Sequence, residues 1–213
     1  MKSKENLLEQ LKSLPYFSKD TLCLLSNQLG LKDTTADTYI SRFLKCKEIM
    51  QLKKGLYIST DFFNRNKSDI SYFFYLANIL RTPSYVSSWA ALQYYNLTTE
   101  VVYGVTSVTL KVTRSYKAKV GNFIYQSIKK ELFSSFSLVK GKPASAGGDF
   151  DFFIASPSKA LFDLLYFKTH QLRGVRPKDI KTLVEELRID MGEMEKGERV
   201  KFDLMIKEQL RHE

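Results

Sequence analysis

The chain has 213 residues, 44% of them hydrophobic and 26% charged, with a formal net charge of +10. Such a composition builds a folded core rather than a disordered chain, and the positive surplus favours polyanionic partners, either nucleic acid or an anionic surface. Two cysteines and two histidines are too few for a disulfide framework or a Cys/His zinc site, and no run of about 18 apolar residues exists to span a membrane. No signal-peptide pattern opens the sequence, so a cytoplasmic location is expected.

Leu7, Leu8, Leu11 and Leu14 recur at helical spacing before Pro15, which predicts a first helix from about Lys4 to Ser13. Ser18 is a candidate N-cap for a second helix carrying Leu22, Leu25 and Leu29 on one face, and Gly30 stands where helices end in a left-handed residue. Asp33, Thr34 and Thr35 offer caps for a third helix, whose apolar stripe is Ala36, Tyr39, Ile40, Phe43 and Leu44. Its opposite face presents Thr35, Asp37, Thr38, Ser41, Arg42 and Lys45. Hydroxyls near the start of a helix and Arg or Lys further along suit the major groove of DNA, where Arg takes guanine in a two-pronged bond. The run Ile49 to Ile58 then reads as a β-hairpin tipped by Lys53, Lys54 and Gly55. Two helices across a short break, followed by a basic hairpin, are the layout of a winged helix-turn-helix. The candidate DNA contacts are therefore Thr35, Thr38, Ser41, Arg42, Lys45, Lys53 and Lys54. Cys23 and Cys46 read as buried thiols.

The polar segment from Asp61 to Lys67 reads as a boundary, dividing the chain into 1–62 and 68–213. Beyond it, Ser71 to Leu80 predicts a helix stopped by Pro83, and Tyr85 to Leu97 predicts another. Strands are predicted at Val101–Val105, Ser107–Val112, Asn122–Ile128, Phe133–Val139 and Phe150–Ile154, then helices at Pro157–Lys168, Pro177–Leu187 and Glu198–Leu210. The fold class is α+β: an N-terminal winged helix-turn-helix domain, followed by a larger C-terminal domain with a mainly antiparallel sheet flanked by helices.

A dense basic zone comprises Lys111, Arg114, Lys117, Lys119, Lys129, Lys130, Lys140 and Lys142, with Tyr116, Phe123 and Tyr125 interleaved and Glu131 the lone acid between 111 and 142. Two readings stay open. Lysines blunt exposed sheet edges against aggregation, and they also bind a second polyanion, flanking DNA or RNA. Gly147-Gly148-Asp149-Phe150-Asp151 brings glycines and acids together, but in nucleotidyltransferases the acids follow at a distance, beyond a helix. His170 and Asp163 stand seven apart, as on one helix face, with no nucleophile beside them. Asp163 is expected to pair with Lys159 four residues earlier. No P-loop, dinucleotide or zinc motif is present, so neither catalysis nor a cofactor is expected.

Three stretches resemble the AbiEi-type antitoxins of abortive-infection systems. They are Lys54-Gly55-Leu56-Tyr57-Ile58, like that family's wing strand; Tyr85 to Leu97, like its Ser-x-x-Ala-Leu helix; and Ala155-Ser156-Pro157-Ser158-Lys159-Ala160-Leu161-Phe162-Asp163, like its Lys-Ala-Leu-x-Asp helix. The order of the three, rather than any one alone, carries the resemblance. Ser158 stands where an acidic residue is common in the family, and the chain is somewhat short. The resemblance implies a type IV toxin–antitoxin pair. Such a protein represses its own operon at inverted repeats and counters a nucleotidyltransferase-fold toxin without needing a stable complex. The alternative is a winged-helix transcriptional regulator whose C-terminal domain senses a ligand or mediates assembly.

Overall fold

The computed structural model describes residues 2–31, 35–100, 103–141 and 150–211. Among them the protein is α+β, with nine α-helices and two sheets. It divides into two compact units. The first holds the described residues up to Phe73 together with Tyr116–Gly121, Gly141 and Phe150; the second holds those of Phe74–Ser115, Asn122–Lys140 and Asp151 onward. The division falls between Phe73 and Phe74, inside a helix, whereas the sequence reading places it at 62–68.

In the first unit the elements are α1 (Lys2–Lys12), β1 (Phe17–Ser18), α2 (Lys19–Gln28), α3 (Thr35–Lys45), β2 (Ile49–Lys53), β3 (Leu56–Ser59) and α4 (Thr60–Asn66). Ser18 caps α2 as expected, its hydroxyl accepting from the Thr21 N–H at 3.0 Å. Gly30 is left-handed, with φ 70°, after α2 ends. The proposed caps Asp33 and Thr34 lie outside the described residues. Leu7 and Leu11 of α1, Leu22 of α2 and the α3 stripe Ala36, Tyr39, Ile40 and Phe43 close on Phe17, Ile49 and Tyr57 in one core. Each large side chain so buried contributes about 1.5–3 kcal/mol. A three-stranded antiparallel sheet, ordered β1-β3-β2, lies against it, with Phe17 paired to Tyr57 and Met50 to Ile58. The two-residue β1 is too short to signal itself by alternation. Where the sequence reads a boundary, Ser59 caps α4 and Asn66 donates from its amide to the Phe62 carbonyl at 2.9 Å. Only Phe62 and Asn66 of α4 are buried, so it leaves no apolar stripe to read.

Helix α5 (Ile70–Leu80) leads into β4 (Ser84–Val86), α6 (Ser88–Tyr94), β5 (Val105–Thr109), β6 (Arg114–Ala118), β7 (Gly121–Ser127), a 3-10 turn at Lys130–Leu132, β8 (Phe136–Val139) and β9 (Phe152–Ala155). Helices α7 (Pro157–Lys168), α8 (Asp179–Glu186) and α9 (Lys196–Arg211) follow. The expected helix from Tyr85 to Leu97 is thus a strand, a sharp turn and a shorter helix. The strand gives way to the helix at Ser88, which is left-handed at φ 52° without being glycine, so no turn residue marks the break. The six-stranded sheet is ordered β6-β7-β5-β4-β9-β8. Within it β4–β5 and β8–β9 are antiparallel, while β4–β9 and β5–β7 are parallel. The sheet is therefore mixed: its antiparallel pairs agree with the expected antiparallel character, and the two parallel pairs go beyond it. Strand-forming residues announce a strand but not its direction, and parallel pairs such as Val86 with Ile154 join segments far apart in sequence.

Candidate nucleic-acid interface

Helix α3 is amphipathic in the expected sense. Ala36, Tyr39, Ile40 and Phe43 are buried, while Asp37, Thr38, Ser41, Arg42 and Lys45 are exposed. Thr38, Arg42 and Lys45 recur at i, i+4 and i+7, with Ser41 beside them, so the four share one face. The Thr35 side chain lies outside the described residues. Asp37, which shares the exposed side, is engaged: its carboxylate takes the Lys19 ammonium at 2.7 Å. That hydrogen bond holds Lys19 above its ordinary pKa. The net effect is that the acid on α3 is neutralised by α2, while Arg42 and Lys45 keep the helix C-terminal half positive. Lys19 is not among the residues singled out from sequence, although the Ser18 cap places it at the first position of α2. The helix ends at Lys45, and the chain turns away at Lys47, left-handed at φ 59°, with the Glu48 N–H donating back to the Phe43 carbonyl at 2.9 Å.

Strands β2 and β3 form the expected hairpin. Lys53 pairs with Leu56 across the turn Lys54-Gly55, and Gly55 takes φ 78°, a conformation that glycine adopts without strain. Lys54 is exposed at the tip and Lys53 is half-buried. The Lys19 N–H donates to the Gly55 carbonyl at 3.3 Å, and Phe17 stacks on Tyr57 at 5.8 Å. The start of α2 is thereby tied to the hairpin tip, and α2 in turn to α3 through Asp37. Those links fix Lys54 in position relative to α3, rather than leaving it on a loose loop.

The dense basic zone does not gather in one place. Arg114 and Lys117 lie on β6 and Lys119 in the turn after it, whereas Lys140 follows β8. In the sheet order β6 and β8 are opposite edges. Lys129 and Lys130 sit on the connection from β7 to β8, which passes from the second strand of the sheet to the sixth, and Lys111 sits in the loop after β5. All seven are exposed, and Lys142 lies outside the described residues. Lys117 and Lys119 belong to the first unit, the one that holds α3; the other five belong to the second. Of this sheet's two edge strands only β6 carries basic residues itself, so neither the edge-protecting nor the polyanion reading is decided by the placement. A run continuous in sequence is broken up because the crossover carries its second half away from the first.

The second unit concentrates its charge chemistry inside. Nine consecutive residues of α7, Ser158 to Tyr166, are buried. Lys159 and Asp163, 2% and 0% exposed, pair there at 2.7 Å, as the four-residue spacing suggests. The second Asp163 oxygen accepts from the Ser87 hydroxyl at 2.7 Å and from the Tyr85 hydroxyl at 3.1 Å. The Lys159 ammonium also lies 4.8 Å above the Phe162 ring. Burial pushes the Asp163 carboxyl up, against the Lys159, Ser87 and Tyr85 contacts that favour the carboxylate. Burial and the neighbouring carboxylate both push the Tyr85 phenol up, so it stays a donor. His170 is not on the same face: α7 ends at Lys168, and His170 is left-handed and exposed while Asp163 is sealed in. Asp149 lies outside the described residues, and among these no group of three or more His, Cys, Asp or Glu is placed to hold a metal. Cys23 is half-buried and Cys46 exposed, which corrects the expectation of two buried thiols; Cys46 follows the last residue of α3 and faces water.

No helix among the described residues is long and apolar enough to cross a membrane. Compared with known proteins, the chain matches no family model and no curated protein.

Proposed function

We propose that the protein is a DNA-binding transcriptional autorepressor and the antitoxin of an AbiE-like, type IV toxin–antitoxin pair, without enzymatic activity of its own. The observation that carries the DNA-binding part is the exposed face of α3. It offers Thr38, Ser41, Arg42 and Lys45 side by side, with its acid held by Lys19 and a lysine-tipped hairpin fixed nearby. The order helix, strand, helix, helix, strand, strand supports reading 1–62 as a winged helix-turn-helix domain with α3 as recognition helix and Lys53 and Lys54 on the wing. Arg42 in a two-pronged bond to guanine contributes about 1–3 kcal/mol of base discrimination, whereas Lys45 and Lys54 meet phosphates. Inverted repeats in the operator would seat two copies, one helical turn or a multiple apart.

The antitoxin part rests on the order of the three motifs that resemble AbiEi proteins. Region 68–213 would serve as the domain that counters a nucleotidyltransferase-fold toxin, and Lys159 and Asp163 of the Lys-Ala-Leu-x-Asp stretch are then scaffold residues holding α7. Titrating the protein with duplex DNA from upstream of its own gene tests the first part. If about six basic residues neutralise phosphates, the logarithm of affinity falls against that of salt with a slope of roughly −5. A slope near zero, or equal affinity for unrelated duplexes, would overturn the repressor reading. Co-expression with the adjacent reading frame tests the second part. Toxicity of that frame alone, relieved by this protein, is expected; a harmless neighbour, or unrelieved toxicity, removes the antitoxin assignment.

A further inference from the structure

The second unit carries a cavity of about 410 Å3 that neither the α3 face nor the buried Lys159–Asp163 pair uses. Its wall includes Trp89 of α6, Glu100, Tyr103 just before β5, and Glu186 at the end of α8; Thr106 and Ile124 line it too. Thr106 and Ile124 are register partners across the parallel β5–β7 pair, so they form a continuous strip of sheet beneath it. Tyr103 is 85% exposed and, among the described residues, stacks on no other ring. Glu186 is exposed and makes no ion pair among them. Glu100 already accepts one guanidinium, from Arg188 at 3.3 Å.

An uncovered phenol ring, a half-buried indole and an unpaired carboxylate around one concavity are suited to one kind of ligand. Aromatic faces attract cations, and a carboxylate takes a guanidinium through two parallel N–H bonds. A compact ammonium is more strongly hydrated and cannot stack, so it fits the same walls less well. Because Arg188 already engages Glu100, Glu186 is the carboxylate left to meet a cation here, at short range where screening by salt is weakest. We propose that this cavity binds a guanidinium group, its plane against Trp89 and Tyr103 and its N–H pair on Glu186. The group could come from free arginine or from an arginine side chain of a protein segment.

Trp89 is the sole tryptophan of the chain, so indole fluorescence of the intact protein reports on this cavity directly. The titrants are L-arginine, a blocked Gly-Arg-Gly peptide, L-lysine, and L-citrulline, which keeps the shape of arginine but is neutral. Arginine or the peptide should give a saturable change at concentrations up to about 10 mM, lysine a weaker one and citrulline none. Tighter binding of the free amino acid would identify a metabolite as the source, tighter binding of the peptide a protein segment. Glu186→Gln and Tyr103→Ala alter exposed side chains, and each should weaken binding by roughly tenfold with an unchanged melting temperature. No saturable change, an equal response to citrulline, or wild-type titrations in both variants would overturn the proposal. None of these results bears on operator binding, which is measured separately.

Discussion

Helices α3 and α7 are nearly equal in length, at 11 and 12 residues, and both carry charge, yet the two units use them in opposite ways. On α3 the charges stand on an exposed face, and the apolar stripe, with the surface Asp37–Lys19 pair, holds the helix in place. On α7 almost the whole helix is inside, and its Lys159 and Asp163 satisfy each other. A charge placed in water remains available to a partner; a charge placed in a core is committed to the fold. Changes to α7 should therefore damage stability, and changes to the face of α3 should damage recognition while stability holds.

The largest effect is expected at Asp163. Asp163→Ala strands the Lys159 ammonium and leaves the Ser87 and Tyr85 hydroxyls without their acceptor, at a cost of about 3–5 kcal/mol, readable as a shifted urea midpoint. The double change Lys159→Met with Asp163→Leu should recover only the part of that loss due to the stranded ammonium, because the Ser87 and Tyr85 hydroxyls still lack their acceptor. A loss below about 1 kcal/mol in Asp163→Ala would show that α7 does not depend on the pair.

A smaller effect is expected at the start of α7. The Ser158 hydroxyl and N–H donate to the Glu198 carboxylate of α9 at 2.6 and 3.0 Å, and Lys201 donates to it as well. Burial pushes Glu198 up, but these three donors outweigh it and bring the carboxyl from its ordinary 4.5 down to about 2. A carboxylate held low in the folded state stabilises it above the ordinary value and ceases to do so as pH falls through the lowered one. Stability should thus decline from about pH 4.5 to 2, and Ser158→Ala should flatten that acid limb while lowering neutral stability by roughly 1–2 kcal/mol. An acid limb identical in wild type and variant would contradict the assignment. Smaller still, and opposite in sign, is Lys47→Gly. It relieves a left-handed lysine at the end of α3 and should raise the melting temperature by an amount equivalent to about 1 kcal/mol at most.

The same contrast explains what was legible beforehand. The stripes of α1, α2 and α3 and the Lys54-Gly55 turn are local patterns, and they stand where periodicity and turn chemistry place them. Helix α7 matches its expected limits because Ser156 caps it and Pro157 opens it. The losses come where structure depends on distant partners. Strand β1 exists only by pairing with β3, and β4 hides inside an apparent helix because Ser88 turns the chain without a glycine. Strand β6, rich in charge and exposed, gives no apolar alternation. Of the candidate site, the α3 face could be read from one helix, whereas the dispersal of the second basic zone depends on a crossover that no local pattern reveals.

DNA recognition, as proposed, rests on the exposed face of α3. Arg42→Ala combined with Lys45→Ala removes both exposed cations of that face and touches no buried group, so stability should stay within about 0.5 kcal/mol of wild type. With the fold verified by its melting curve, the affinity of this double variant for the upstream operator is the decisive quantity. If α3 reads the operator, that affinity falls to the level of binding to unrelated duplexes. Operator affinity equal to wild type would contradict that reading.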